Sequence, residues 1–178
     1  WARGTSLDGL IGDGDLGITL WKAFRELDRI KDSWPDDLGQ AFMQAAQAVS
    51  KVSSSSFGTL FATSLMAAAK HTKGTTEAAW SDVPPILDKA VVAMMARGKA
   101  SLGDKTVLDT VAAASREAAG KDDPAALLAA LKAGAQSALD EFRDKPNKIG
   151  RARIFAERTV GMDDPGMVAF KVMLDGLG

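Results

Sequence analysis

Cysteine and tyrosine are missing from this chain altogether, and histidine occurs once, as His71. Without cysteine there are no disulfides and no thiolate chemistry. One imidazole cannot build a Cys/His zinc site, and a Ser-His-Asp triad would have to use His71. Aromatic residues are scarce at 6%, and no apolar run approaches the length of a membrane span. No signal-peptide pattern opens the sequence. Charge of one sign is lacking as well: 22 basic and 23 acidic residues are interspersed, and a net charge of −1 leaves no electrostatic footprint for nucleic acid. The expectation is a soluble, cytoplasmic protein with neither membrane nor nucleic acid as partner. The chain opens on Trp1 rather than Met, which leaves room for upstream residues, a targeting segment included. Its 178 residues suffice for one domain, taken as 1–178, with a core that needs no staples. Abundant alanine and the absence of two-residue alternation point to an all-α fold.

What the chain does have is concentrated near its start. Leu7-Asp8-Gly9-Leu10-Ile11-Gly12-Asp13-Gly14-Asp15-Leu16-Gly17 places three carboxylates and four glycines in eleven residues, directly ahead of a helical pattern. A backbone bent by glycine can turn Asp8, Asp13 and Asp15 towards one point, where they would repel one another unless a cation intervened. Mg²⁺ suits such a set, because it accepts a few carboxylates and keeps positions for water and substrate phosphates. The bland alternative is a helix-entry turn whose carboxylates act as caps, which needs one aspartate or two. Gly12, Gly14 and Gly17 spell the dinucleotide fingerprint, yet no β-rich run precedes them and aspartates stand where a pyrophosphate would approach. An EF-hand counted from Asp13 fails at Ile18 and Phe24. The nearest approach to a phosphate loop, Gly103-Asp104-Lys105-Thr106, has an aspartate between glycine and lysine.

Apolar residues at three- and four-residue steps predict seven helices, over 16–31, 38–52, 60–70, 82–96, 107–119, 124–142 and 167–177. The first carries Leu20, Trp21, Phe24, Leu27 and Ile30 as its stripe, and the third carries Leu60, Phe61, Leu65 and Met66. His71 closes the third helix, where a C-terminal cation suits the dipole better than a catalytic role. Three connecting segments are less ordinary. Ser53-Ser54-Ser55-Ser56-Phe57-Gly58-Thr59 is either a low-complexity linker or a set of hydroxyls at a helix start. The loop from Arg97 to Thr106 mixes glycines and cations in a way that suits either solvent or a nucleotide. Gly150 to Gly166 adds arginines, whose fork phosphate contacts prefer, ahead of Asp164-Pro165-Gly166. In an antiparallel bundle alternate loops share one end, so these segments can form one site.

Taken in order, Leu7-Asp8 with Ile11 to Gly17, Phe57-Gly58-Thr59, Arg97-Gly98-Lys99-Ala100 with Gly103 to Thr106, and Gly150-Arg151-Ala152 with Glu157-Arg158 and Asp164-Pro165-Gly166 resemble the nucleotide-binding L domain of dihydroxyacetone kinases. The resemblance implies an antiparallel eight-helix barrel, its first helix upstream of Trp1, with the nucleotide at one end. It implies that Asp8, Asp13 and Asp15 hold two Mg²⁺ ions bridging the phosphates of ATP or ADP. Leu16, Gly17, Ile18 and Thr19 would line the phosphate and base site. Ser53, Ser54, Gly98, Val107, Arg151, Asp164 and Gly166 match or adjoin family nucleotide contacts, with Arg151 also counted in the catalytic set. Lys99, Lys105 and Arg151 are candidates for nucleotide or partner contacts. The implied activity is phosphoryl transfer to dihydroxyacetone or a related short-chain ketose held by a partner K subunit or domain, so no general base need come from this chain. A phosphotransferase-system protein is a further implied partner if ADP stays bound and is rephosphorylated. The family usually has histidine at Leu16 and a glycine-rich run at Lys51-Val52-Ser53-Ser54. These departures leave open a kinase for a four-carbon ketose such as erythrulose, or a non-catalytic helical module that binds Mg-nucleotide.

Overall fold

The computed structural model describes residues 14–149 and 157–177. Those residues form seven α-helices and no strand: α1 (Leu16–Ile30), α2 (Leu38–Val52), α3 (Ser56–His71), α4 (Val83–Gly98), α5 (Val107–Ala118), α6 (Pro124–Phe142) and α7 (Pro165–Asp175). Single 3₁₀ turns, Lys31–Ser33 and Trp80–Asp82, lead out of α1 and into α4. Local chemistry explains most starts. Asp37, Ser55, Asp123 and Asp164 each accept a hydrogen bond from a first-turn amide, while Thr106 pairs with Asp109 in a capping box. Proline occupies the first turn of α4, α6 and α7, where its missing amide costs least.

Each helix packs on the next along the chain, and α7 lies on α5 and α6 and reaches α1, which closes the ring. The closure is apolar: Leu16 and Leu20 of α1 are buried against Ala169 of α7. Short connections make neighbours antiparallel. One end therefore carries the starts of α1, α3, α5 and α7, and the other is pinned by Leu38 N–H donating to the Thr75 carbonyl and Ser81 N–H to Asp122. Inside the ring lies an apolar cavity of about 480 Å³, walled by Phe42, Phe61, Leu87, Met94, Val111 and Phe170 among others.

Three boundaries and faces differ from the sequence-based expectation. α3 begins at Ser56 rather than at 60, because the serine run is itself the cap and first turn. Trp21 is 58% exposed, with the Arg25 guanidinium 5.0 Å over its ring. The buried stripe of α1 runs instead through Leu16, Leu20 and Ala23. Met66 likewise faces out, and the inner face of α3 is filled by Ala62, Ala68 and Ala69. Both helices bury small residues, Ala23 in α1 and Ala62, Ala68 and Ala69 in α3, and turn the larger Trp21 and Met66 to solvent.

Candidate functional site

At the end where the odd-numbered helices begin, four connections meet. Gly14 turns the chain into α1 with φ +76°, a conformation that glycine adopts at no steric cost. Asp15 stands at the N-cap position, yet its side chain makes no capping hydrogen bond, so this carboxylate is not spent on closing the helix. Thr19, in the first turn, donates its hydroxyl to Ser55 Oγ at 3.0 Å and ties the start of α1 to the start of α3. Ser55 also accepts from Gly58 N–H at 3.1 Å, and Ser53 Oγ lies 3.3 Å away. A Cβ on Gly58 would fall 1.9 Å from Ser53 Oγ, so the serine turn closes only over glycine. The four serines are thus an ordered junction, and the linker reading is wrong for them.

Beside this junction a cleft of about 360 Å³ opens between α3, α4 and α5. Ser54, Thr59, Arg97, Gly98, Thr106 and Ile149 are among the residues that line it. Two residues named from the sequence, Ser54 and Gly98, therefore share one wall system. Val107 and Gly166 meet on the adjoining side: a Cβ on Gly166 would sit 3.5 Å from Val107 Cβ and 3.1 Å from Asp164 Oδ2. The starts of α1, α3, α5 and α7 thus gather at this end, each with the positive end of its dipole, which together favour an anion.

Not every named side chain faces this opening. Leu16 and Val107 are buried in the apolar core, so each presents backbone alone to the site. Ile18 is 56% exposed on the outer face of α1, and Gly17 is half-buried beside it. Ser53 ends α2, with its amide bonded to the Val49 carbonyl. Asp8, Asp13 and Arg151 lie outside the described residues, so the carboxylate trio is represented here by Asp15. Among the described residues no three acidic or histidine side chains group as a metal site. Asp15, a carboxylate at a helix start, has the donor chemistry of a ligand to a hard cation.

Lys105 is a correction. It is 1% exposed, and its ammonium donates to the carbonyls of Arg143 at 3.1 Å, Lys145 at 2.7 Å and Thr159 at 2.8 Å. Its ammonium is therefore taken up by backbone carbonyls inside the protein, and Lys105 is a buried strut rather than an exposed cation. Burial pushes its ammonium below the usual lysine range, and Asp164, Asp163 and Asp144 oppose that push. Asp164, named as a nucleotide contact, is buried too: it accepts from Met167 N–H and from Asn147 Nδ2. Burial pushes its carboxyl up to about 6, opposed by those hydrogen bonds, the Gly166 amide and the Lys105 charge.

Sequence reasoning had Thr106 only as the end of the 97–106 loop, and it missed Ile149 and Asn147. Thr106 was findable, since a threonine three residues ahead of Asp109 is a capping-box signature. Ile149 and Asn147 sit in an irregular connection where no periodicity or motif marks a residue.

The DAK2 domain profile matches residues 10–178. The ADP-binding subunit DhaL of PEP-dependent dihydroxyacetone kinase 2 from Listeria innocua is 34% identical over 173 residues, which cover 91% of this chain and 78% of that protein. The triokinase/FMN cyclase of Rattus norvegicus is 32% identical over 188 residues, which cover 97% of this chain but 31% of that longer protein. Among solved structures, the dihydroxyacetone kinase from C. freundii in complex with AMP-PNP and Mg²⁺ superposes with a TM-score of 0.76 at 22% identity, over 99% of this chain and 30% of that one. That last likeness is one of fold. The helical ring and a profile match over nearly the whole length lead to one conclusion: this chain belongs to the DAK2 domain family.

Proposed function

We propose that residues 1–178 act as the nucleotide-binding unit of a dihydroxyacetone kinase-type phosphotransferase. The observation that carries the reading is the convergence of four helix starts beside the cleft of Ser54, Gly98, Thr106 and Ile149, with the Asp15 carboxylate at the first of them. Asp8, Asp13 and Asp15 would hold Mg²⁺, two ions by family resemblance. When bound, the metal supplies charge neutralisation at the phosphate oxygens.

The chain's own groups account for the rest. Amides of Gly17 and Ile18 at the start of α1 donate to phosphate oxygens beside Thr19, whose own amide bonds the Asp15 carbonyl, with Arg151 as an added cation. Ser53, Ser54, Gly98 and Val107 border the nucleoside, while Asp164 and Gly166 set the start of α7 against it. Phosphoryl transfer forms a bond from the acceptor hydroxyl oxygen to the γ-phosphorus and breaks the bond to the β-phosphate oxygen, leaving ADP. The acceptor, dihydroxyacetone or a related short-chain ketose, would be held by a partner K subunit or domain. The Listeria relative, PEP-dependent and ADP-binding by name, favours ADP retained and rephosphorylated by a phosphotransferase-system donor. The name triokinase favours ATP as a consumed substrate.

Calorimetric titration of ADP and ATP, with Mg²⁺ and again with EDTA, tests the reading. Binding should require the metal. Asp13→Ala and Asp15→Ala should each weaken it by more than the loss of an outer-shell partner would, which is about tenfold. Binding indifferent to metal and to both aspartates would overturn the assignment.

A further inference from the structure

The largest fully buried side chain in the described structure is a lysine, and the phosphoryl-transfer reading gives it no task. Lys105 sits two residues before α5 with φ +61°, a left-handed conformation that costs a non-glycine residue roughly 1 kcal/mol or more. Something must hold it there. Its ammonium spans carbonyls on both strands of the α6–α7 connection, Arg143 and Lys145 on the outgoing side and Thr159 on the returning side. Its own carbonyl accepts from Asn147 Nδ2, whose second hydrogen bond goes to Asp164 Oδ1. The surrounding bonds close the same junction: Asn147 N–H donates to Thr159 Oγ1 at 2.9 Å, Lys148 N–H to the Asp104 carbonyl at 3.1 Å, and Gly161 N–H to the Arg143 carbonyl at 2.9 Å. Arg143 in turn pairs with Asp163 at 2.9 Å.

Two walls of the cleft hang from this junction. Thr106 is the next residue after Lys105, and Ile149 follows Lys148. Asn147 links the strut to the carboxylate that caps α7. Stability alone does not require a charge here, because a buried cation is costly and apolar residues of similar volume often serve as well. A cation with several donors does what no apolar side chain can, which is to fix three separate carbonyls about one point.

We propose that Lys105 is a positioning residue of the nucleotide site: by gathering both strands of the α6–α7 connection onto the start of α5, it sets the distance between Ile149 and Thr106 and the orientation of the α7 cap. The inference rests on the nucleotide-binding reading above. It concerns geometry, and Lys105 touches no ligand.

The test compares Lys105→Met with a core control, Leu131→Ala, whose side chain is buried among Ala114, Leu127, Ala135 and Leu174. Mg-ADP affinity is measured calorimetrically at a temperature where circular dichroism shows every variant folded. Lys105→Met should bind about tenfold or more weakly, as small misplacements of a site do. Leu131→Ala should lose melting temperature and keep wild-type affinity. In an Ile149→Ala background the effect of Lys105→Met should shrink, because the wall it positions is already gone. If Lys105→Met does not fold, Asn147→Ala, which breaks the same junction from the other side, decides with the same expected loss.

Wild-type affinity in the folded Lys105→Met or Asn147→Ala protein would overturn the proposal, as would an equal loss in Leu131→Ala. A wild-type chain that binds neither ADP nor ATP would instead remove the nucleotide-binding reading, and this inference with it.

Discussion

Asp164 combines two properties that seldom coexist: it caps a helix, which favours a carboxylate, and it is buried, which disfavours one. Burial prevails, holding its carboxyl at about 6 against an ordinary value of 3.8. The folded chain therefore binds this proton more tightly than the unfolded chain does. The resulting stabilisation is complete below the unfolded value and is lost as pH rises through about 6. Asp164→Asn cannot titrate. Its stability relative to wild type is expected to fall as pH drops from about 7 to about 4, by at most roughly 1.4 kcal/mol per pH unit. Urea unfolding of both proteins across that range checks it, and a difference that does not vary with pH would show that the carboxyl is not raised. The shift is measured as a difference because the many other carboxylates titrate alike in both proteins.

The helices owe their close approach to small residues more than to large ones. Gly134 of α6 meets α5 so tightly that a Cβ would fall 2.5 Å from the Ala113 carbonyl oxygen and 2.7 Å from Ala114 Cα. Both are backbone atoms and cannot swing aside. Gly134→Ala is expected to cost about 1–3 kcal/mol by overpacking, read as a lower urea midpoint. Its nucleotide affinity should be unchanged while the protein is folded, because this contact belongs to the α5–α6 interface rather than to the cleft. A neutral result would mean that the two helices can separate at little cost. Gly39, at the start of α2, shows the same device, with a Cβ 2.6 Å from Lys73 Cα.

At the scale of the whole ring, the core of the described residues is divided into five small apolar clusters rather than one mass. Shared side chains join several of them. Phe57 packs against the α4–α5 cluster and against the α1–α7 cluster, and Phe170 bridges the α4–α5 cluster to the one between α5 and α6. At those joins the ring can open only by exposing apolar surface on both sides. Thermal unfolding is expected to be a single transition in which calorimetric and van't Hoff enthalpies agree. Two resolved transitions would show instead that the ring comes apart in sections.

Helix number and order were legible in the chain because they follow from local chemistry: periodic apolar residues, a polar cap and a first-turn proline act within a few residues of one another. Ser54 and Gly98, both named from the sequence, do line the cleft, since segments at alternate loops of an antiparallel ring share an end. Side-chain direction was a different matter. Trp21 and Met66 continue the apolar pattern and yet face solvent, because the buried face of a helix is set by the neighbours it packs on, and here those contacts take up Leu20 and Ala23 in α1 and Ala62, Ala68 and Ala69 in α3. Lys105 sits in a glycine-rich loop beside an aspartate, and in sequence it looks like a surface cation waiting for phosphate. Its three carbonyl partners are 38, 40 and 54 residues away. Nothing local encodes them, and only the folding of the α6–α7 connection onto the start of α5 turned that lysine inward.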